Sequence, residues 1–298
     1  MRCSVFVVAL AVGLSASSPL QAIEKRQAVD DTTVLNFALT LEHLENAFYQ
    51  QALAKFDQQA FLDAGLPEFA RGRFEQVAAH EATHVQFLST ALGNNATQPC
   101  TYNFPYTDPK SFAALSQVLE GVGVSAYTGA AQLITNKQYL TAAASILATE
   151  ARHASWVASA VNKFAGWSGA FDVPLDLNEV FTLAAAFITS CPSTNPTLPV
   201  KAYPALKIGN PVPGQNSHFS SQSSTGPTFI AFFTGLDTIF VAVKDGAVEI
   251  PKDLSGQVYA LGTTSGTAAT PDTIVSGPAV LLFERNSSNA LISSGQAN

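Results

Sequence analysis

The sequence predicts a mainly α protein, a four-helix bundle with a shorter fifth helix, followed by a small β-rich module. Three observations predict it. Four segments before residue 166 carry apolar residues at helical spacing. Two of them place Glu-x-x-His on the apolar stripe, and the other two place a glutamate there. Beyond a proline-dense stretch the composition turns to β-prone runs separated by Gly, Ser, Thr and Pro.

The first segment, 32–56, is preceded by Asp30 and Asp31, acids suited to capping it. The second, 67–92, opens near Pro67 and closes at Gly93, as helix ends prefer. The third spans 109–135, and the fourth spans 137–164 and stops at Gly166. Short turns join the first to the second and the third to the fourth, so each pair should be an antiparallel hairpin. Residues 93–108 between the pairs are rich in Asn, Pro and Thr, and long enough to run the length of a bundle. That crossover separates a ferritin-like bundle from an up-and-down one.

A fifth helix over 177–190 begins with Asp176 and Glu179 at capping-box spacing. Residues 32–191 therefore form the bundle. Residues 192–214 form a linker carrying six prolines, Pro192 to Pro213. Residues 215–285 hold the β-rich module, with runs at 228–243, 257–261 and 279–284, and 286–298 form a disordered tail.

Fifteen Lys and Arg against 22 Asp and Glu leave a net charge of −7. No basic stripe exists to neutralise phosphates, which excludes nucleic acid as a partner. At the N-terminus Arg2 precedes an apolar run over 4–16 that is too short to span a bilayer. Residues 1–22 read as a signal peptide and 23–26, closed by Lys25-Arg26, as a propeptide. No later segment is apolar and long enough for a transmembrane helix. Cys3 leaves with the signal, so Cys100 and Cys191 remain and are expected to pair in an oxidising compartment. Asn95-Ala-Thr and Asn286-Ser-Ser are N-glycosylation acceptors. These features point to an extracellular or cell-wall protein.

The chemistry lies on the inward stripes. In the first helix the stripe runs through Glu42, Glu45 and Tyr49, in the second through Glu81 and His84, in the third through Glu120 and Tyr127, and in the fourth through Glu150 and His153. Offsets of three, four and seven keep each set on one side of its helix. Packing the stripes together buries four carboxylates, Glu42, Glu81, Glu120 and Glu150, which cannot all stay ionised without compensation. Two divalent cations match their four charges, with His84 and His153 each supplying a nitrogen. One Glu from each of two helices plus Glu-x-x-His from each of the others is the inventory of di-metal carboxylate bundles. Its oxygen-rich ligands suit two Fe or Mn ions.

Tyr49 and Tyr127 each follow their glutamate by seven residues and are placed to donate hydrogen bonds to a ligand carboxylate. Glu45 reads as an acid beside the ligands, with replacement of Glu42 or a third metal position as the alternative. His43 lies one position off the stripe and should face an edge of the bundle. His80 points about a hundred degrees away from Glu81 and reads as structural. Gly121-x-Gly123 lies within the third helix, where it and neighbouring small residues permit close helix packing. His218 is the only histidine of the β-rich module, which carries no catalytic constellation.

Leu41-Glu-His-Leu-Glu-Asn-Ala-Phe-Tyr49, Glu120-Gly-Val-Gly-Val-Ser-Ala-Tyr127 and Glu150-Ala-Arg-His153 resemble the ferritin-like domain of secreted fungal stress-response and late-sexual-development proteins, which are related to plant desiccation-associated proteins. The resemblance covers most of 30–192 and, more loosely, the β-rich part. It implies a ferritin-like fold and, through the more distant pattern of bacterioferritin and rubrerythrin, metal ligation by Glu42, Glu81, His84, Glu120, Glu150 and His153, with Tyr49 and Tyr127 beside them. A metal-oxidising enzyme, or one that reduces dioxygen or peroxide, is one expected function. A non-enzymatic cell-wall or spore-associated protein is another, and extracellular metal sequestration a third.

Overall fold

The structure, a computed structural model, describes residues 29–297. The expected signal peptide and propeptide lie outside the described residues. Helix α1 (Asp31–Lys55) starts where the Asp30 side chain accepts the Thr33 N–H at 2.8 Å. The expected short turn after it instead holds one extra helix, α2 (Gln58–Asp63), capped by Asp57. Helix α3 (Ala70–Leu92) begins three residues later than the sequence suggests. Pro67 lies in the turn before it, where its carbonyl accepts the Ala70 N–H at 2.9 Å.

Helix α4 (Pro109–Ala130) carries a capping box between Asp108 and Ser111 and Pro at its start. It ends about five residues early. Asp31, at the start of α1, accepts the backbone N–H of Thr135 at 2.7 Å and of Asn136 at 2.8 Å, which turns the chain into α5 (Lys137–Trp156). A π-helical turn, Val157–Val161, continues α5. Helix α6 (Leu177–Ala185) has the expected box between Asp176 and Glu179. It does not reach residue 190. Ile188–Ser190 is strand β2 instead, paired antiparallel with β1 (Thr101–Tyr102) in the crossover. The β-branched Ile188 and Thr189 favour that outcome.

Helices α1 and α3 pack as one hairpin, and α4 and α5 as the other. The crossover between them lays Phe104 and Tyr106 into an aromatic core with Phe48, Phe61, Phe74 and Phe112. A Cys100–Cys191 disulfide ties it to the segment after α6. His43, expected at an edge, is buried and contacts the Thr97 carbonyl through Nε2 at 3.1 Å, which holds the crossover against α1.

The expected β module is a sandwich laid on the bundle. A three-stranded sheet, β3-β4-β7, comprises β3 (Leu206–Ile208), β4 (Asn216–Ser221) and β7 (Ala247–Glu249). A five-stranded antiparallel sheet runs β10-β9-β8-β5-β6. Its strands are β5 (Phe229–Thr234), β6 (Asp237–Ala242), β8 (Gly256–Thr263), β9 (Ile274–Arg285) and β10 (Leu291–Gln296). Two sequence boundaries shift. The linker contributes β3, and the tail expected to be disordered forms β10, paired with β9.

The larger sheet is the middle layer. Ile230, Phe232, Val258 and Ala260 face the smaller sheet, while Ala231, Phe233, Tyr259 and Leu261 face α4 and α6. Burial on both faces explains why these strands read as unbroken apolar runs rather than alternating ones. It also explains α4. That helix is buried on nearly every side because one flank meets the other helices and the opposite flank meets the sheet. Tyr259 O–H contacts Ser125 Oγ at 2.9 Å, and Gln257 donates to the Val118 carbonyl at 3.3 Å.

Candidate metal centre

All six expected ligands converge inside the bundle. Glu42, Glu81, Glu120 and Glu150 have at most 1% of their surface exposed, and His153 has 5%. His84 is partly exposed. They form two overlapping groups: Glu42, Glu81, His84 and Glu150, and Glu81, Glu120, Glu150 and His153. Within each group one donor atom per residue lies within 4.8 Å of all the others. Glu81 and Glu150 belong to both groups.

The two imidazoles organise the cluster. His84 Nδ1 lies 3.1 Å from Glu81 Oε2, 3.3 Å from Glu42 Oε2 and 3.4 Å from Glu150 Oε1. His153 Nδ1 lies 3.2 Å from both Glu81 Oε1 and Glu120 Oε2. Each presents the same nitrogen inward, the geometry of an imidazole whose Nδ1 is a ligand. The tyrosines cross over. Tyr127 on α4 donates to Glu42 Oε1 on α1 at 2.5 Å, while Tyr49 on α1 donates to Glu120 Oε1 on α4. Ser116 Oγ completes the second contact, 2.8 Å from Tyr49 O–H.

Protonation shows how the cluster carries its charge. Burial pushes the Glu150 and Glu45 carboxyls well above their usual range, and neighbouring carboxylates add to it. Burial likewise raises Glu42, to about 7, although the His84 imidazole beside it opposes the shift. Burial would raise Glu81 too, but the His153 and His84 imidazoles beside it outweigh that and hold the carboxyl at about 2. Burial opposes charge on the histidines, yet Glu42 and Glu81 lift His84 to about 10, and Glu120 and Glu81 lift His153 to about 9. The two histidines, held charged by these carboxylates, thus offset part of the buried negative charge.

That offset is incomplete. Glu42 Oε2, Glu81 Oε1 and both Glu150 oxygens accept no hydrogen bond, although imidazole nitrogens approach three of them to 3.2–3.4 Å. Buried carboxylate oxygens without partners are costly, and those lone pairs suit metal ions. The space is also kept open. At Gly123 an added Cβ would lie 2.9 Å from Glu150 Oε2 and 3.1 Å from Glu45 Oε1. The residues therefore fit metal bound mainly through oxygen.

Glu45, the acid expected beside the ligands, is buried at 6% exposure and faces the Gly123 gap together with Glu150. His80 departs from expectation. It is exposed, but its ring lies edge to edge with that of His153, the two planes within 10° of parallel and the centroids 5.2 Å apart, and its Nδ1 lies 2.9 Å from His153 Nε2. His153 turns its Nδ1 to Glu81 and Glu120, which leaves its Nε2 facing His80 Nδ1 and places His80 to accept a hydrogen bond from it. Stripe spacing places His80 off the α3 face that carries Glu81. Only the approach of α5 brings His153 to it, so periodicity carried no signal. Gly123 of α4 does face helices, but two other glycines of α4 meet neighbours other than helices. At Gly129 an added Cβ would strike the Leu175 carbonyl, and Gly121 faces Gln257 of β8.

Residues 30–163 match the ferritin-like domain family, the stretch that holds all six candidate ligands. The chain is similar to Protein rds1 of Schizosaccharomyces pombe, with 25% identity over 181 residues. The match takes in 61% of this chain and 45% of the relative, so this chain spans less than half of the relative's length. Among the described residues no helix is long and apolar enough to cross a membrane.

Proposed function

We propose that this ferritin-like protein is secreted and holds two Fe or Mn ions, which it uses to reduce dioxygen or peroxide or to oxidise metal. One observation carries the reading. Four buried carboxylates and two histidines form two ligand sets that share Glu81 and Glu150. Bound in those sets, such ions supply paired electron changes at adjacent centres.

The chain's own residues do the rest. Tyr127 and Tyr49 orient Glu42 and Glu120 by hydrogen bonds to one oxygen of each, leaving the other oxygen toward the histidines. Glu81 stays ionised between the two imidazoles, while burial shifts Glu45, beside Glu150, toward its protonated form. Phe48, Phe74 and Phe112 pack around Tyr49 and keep water from the Glu120 side. The extracellular setting draws support from the Cys100–Cys191 bond and from exposure of Asn95 and Asn286, the two acceptor asparagines.

Anaerobic reconstitution with Fe(II) or Mn(II), metal analysis, and Mössbauer or EPR spectroscopy test the reading. Two ions per chain are expected, lost together with dioxygen or peroxide consumption in Glu120→Ala/Glu150→Ala. Bound metal without turnover would assign the protein to sequestration instead. Metal-free protein of unchanged stability would make it a cell-wall or spore-associated scaffold.

A further inference from the structure

The two halves of the centre repeat one another. Glu42 and Tyr49 on α1 correspond to Glu120 and Tyr127 on α4, and Glu81 and His84 on α3 correspond to Glu150 and His153 on α5. In this correspondence the residue before Glu81 is His80, and the residue before Glu150 is Thr149. The two behave differently. The Thr149 hydroxyl donates to the Ser145 carbonyl of its own helix at 3.2 Å. The His80 ring reaches across to α5, with Nδ1 2.9 Å from His153 Nε2 and the two planes within 10° of parallel. Among the described residues His84 has no such partner, and its contacts run through Nδ1 alone.

An imidazole can offer Nδ1 to a metal only when its hydrogen sits on Nε2, and a group accepting that hydrogen selects the tautomer and fixes the ring. We propose that His80 is a positioning residue: it accepts the Nε2–H of His153, locks Nδ1 toward Glu81 and Glu120, and makes the Glu81–Glu120–Glu150–His153 position the tighter of two unequal metal positions. The inference rests on the di-metal reading above. It adds an ordering of the two positions and assigns it to a residue that is no ligand. His80 is also exposed, so the favoured position has an imidazole at the protein surface, one hydrogen bond from the ligand.

The test uses the full chain and His80→Ala, with His80→Asn as the conservative variant, because an Asn amide oxygen occupies nearly the place of Nδ1. Cobalt(II) titration followed by visible absorption reads the metal positions. Wild-type protein should fill in two resolved steps. His80→Ala should weaken one step by about 10- to 100-fold, the usual effect of removing such a partner. It should leave the other step in place, and Asn should restore the weakened one. A second reading needs no metal. Imidazole ¹H–¹⁵N NMR of the metal-free chain should show a His153 Nε2–H slowed in exchange by its acceptor, and His80→Ala should lose that protection while circular dichroism stays unchanged. Superimposable isotherms for wild type and His80→Ala, or an unprotected Nε2–H in wild type, would overturn the proposal. A wild-type chain that binds no cobalt but keeps the protected Nε2–H would defeat the di-metal reading and the proposed ordering while leaving the His80–His153 hydrogen bond standing.

Discussion

Tyr127 donates its hydroxyl to Oε1 of Glu42 at 2.5 Å, so a residue seven positions after the glutamate of α4 serves the glutamate of α1. Tyr49 returns the bond from α1 to Glu120 of α4. Each tyrosine thus couples the two helical hairpins across the centre. Burial, strengthened by the carboxylate each one faces, raises both phenols well above their usual range, so both remain donors at any physiological pH.

Tyr127→Phe removes the donor and leaves Glu42 Oε1 buried without a partner. A loss of about 1–3 kcal/mol of metal-free stability is expected, measured by denaturant unfolding. Metal affinity should fall at the position that uses Glu42 by about tenfold or more. Unchanged affinity would show that the hydroxyl does not orient the carboxylate.

The overlap of the two ligand sets makes single substitutions distinguishable. Glu42→Ala should remove the His84 position and leave the other, and Glu120→Ala should do the reverse. Glu81→Ala or Glu150→Ala should impair both, because those residues belong to both sets. Metal content of each purified variant after reconstitution checks the pattern. Equal losses in all four variants would contradict it.

The metal-free protein should lose stability as pH rises. Glu42, His153 and His84 bind protons more tightly folded than unfolded, so the stability each contributes is full below its ordinary value and disappears as pH climbs through its folded value. The windows run from 4.5 to about 7 for Glu42, from 6.5 to about 9 for His153 and from 6.5 to about 10 for His84. Glu81 opposes this, but its contribution is lost only as pH falls from 4.5 toward about 2. Metal binding displaces the same protons, so loaded protein should gain stability with pH over the same range. Thermal unfolding at several pH values, with chelator and with Fe(II) or Mn(II), checks both slopes. A rising melting temperature for the chelated protein would refute the assignment.

Gly123→Ala places a methyl group 2.9 Å from Glu150 Oε2 and 3.1 Å from Glu45 Oε1. Alanine normally gains about 0.5–1 kcal/mol over glycine inside a helix. Here the variant should instead lose metal and stability, and adding Glu45→Ala should recover part of each. A double-mutant cycle on metal affinity measures the coupling.

Peptide mapping without reductant should join the peptides holding Cys100 and Cys191. The bond closes a loop with a sequence separation of 91, so Cys100→Ser/Cys191→Ser should cost about 2–5 kcal/mol of unfolding free energy.

The sequence by itself determined the four helical stripes, the crossover and the set of six candidate ligand residues. Periodicity records which side chains share a helix face, and a face that carries both acids and aliphatic residues must be buried with its charges answered. Tertiary structure decided whatever depends on how one element is rotated and set against another. Spacing within α3 could not show that His80 meets His153, since that contact needs the approach of α5. Spacing within α1 and α4 could not show that each tyrosine serves the opposite glutamate. The five-stranded sheet on the outer flank of α4, and the pairing of β10 with β9 in a polar tail, likewise arise from long-range hydrogen bonds and burial. Local pattern does not encode such partners, because the energy that selects them appears only when distant segments exclude water together.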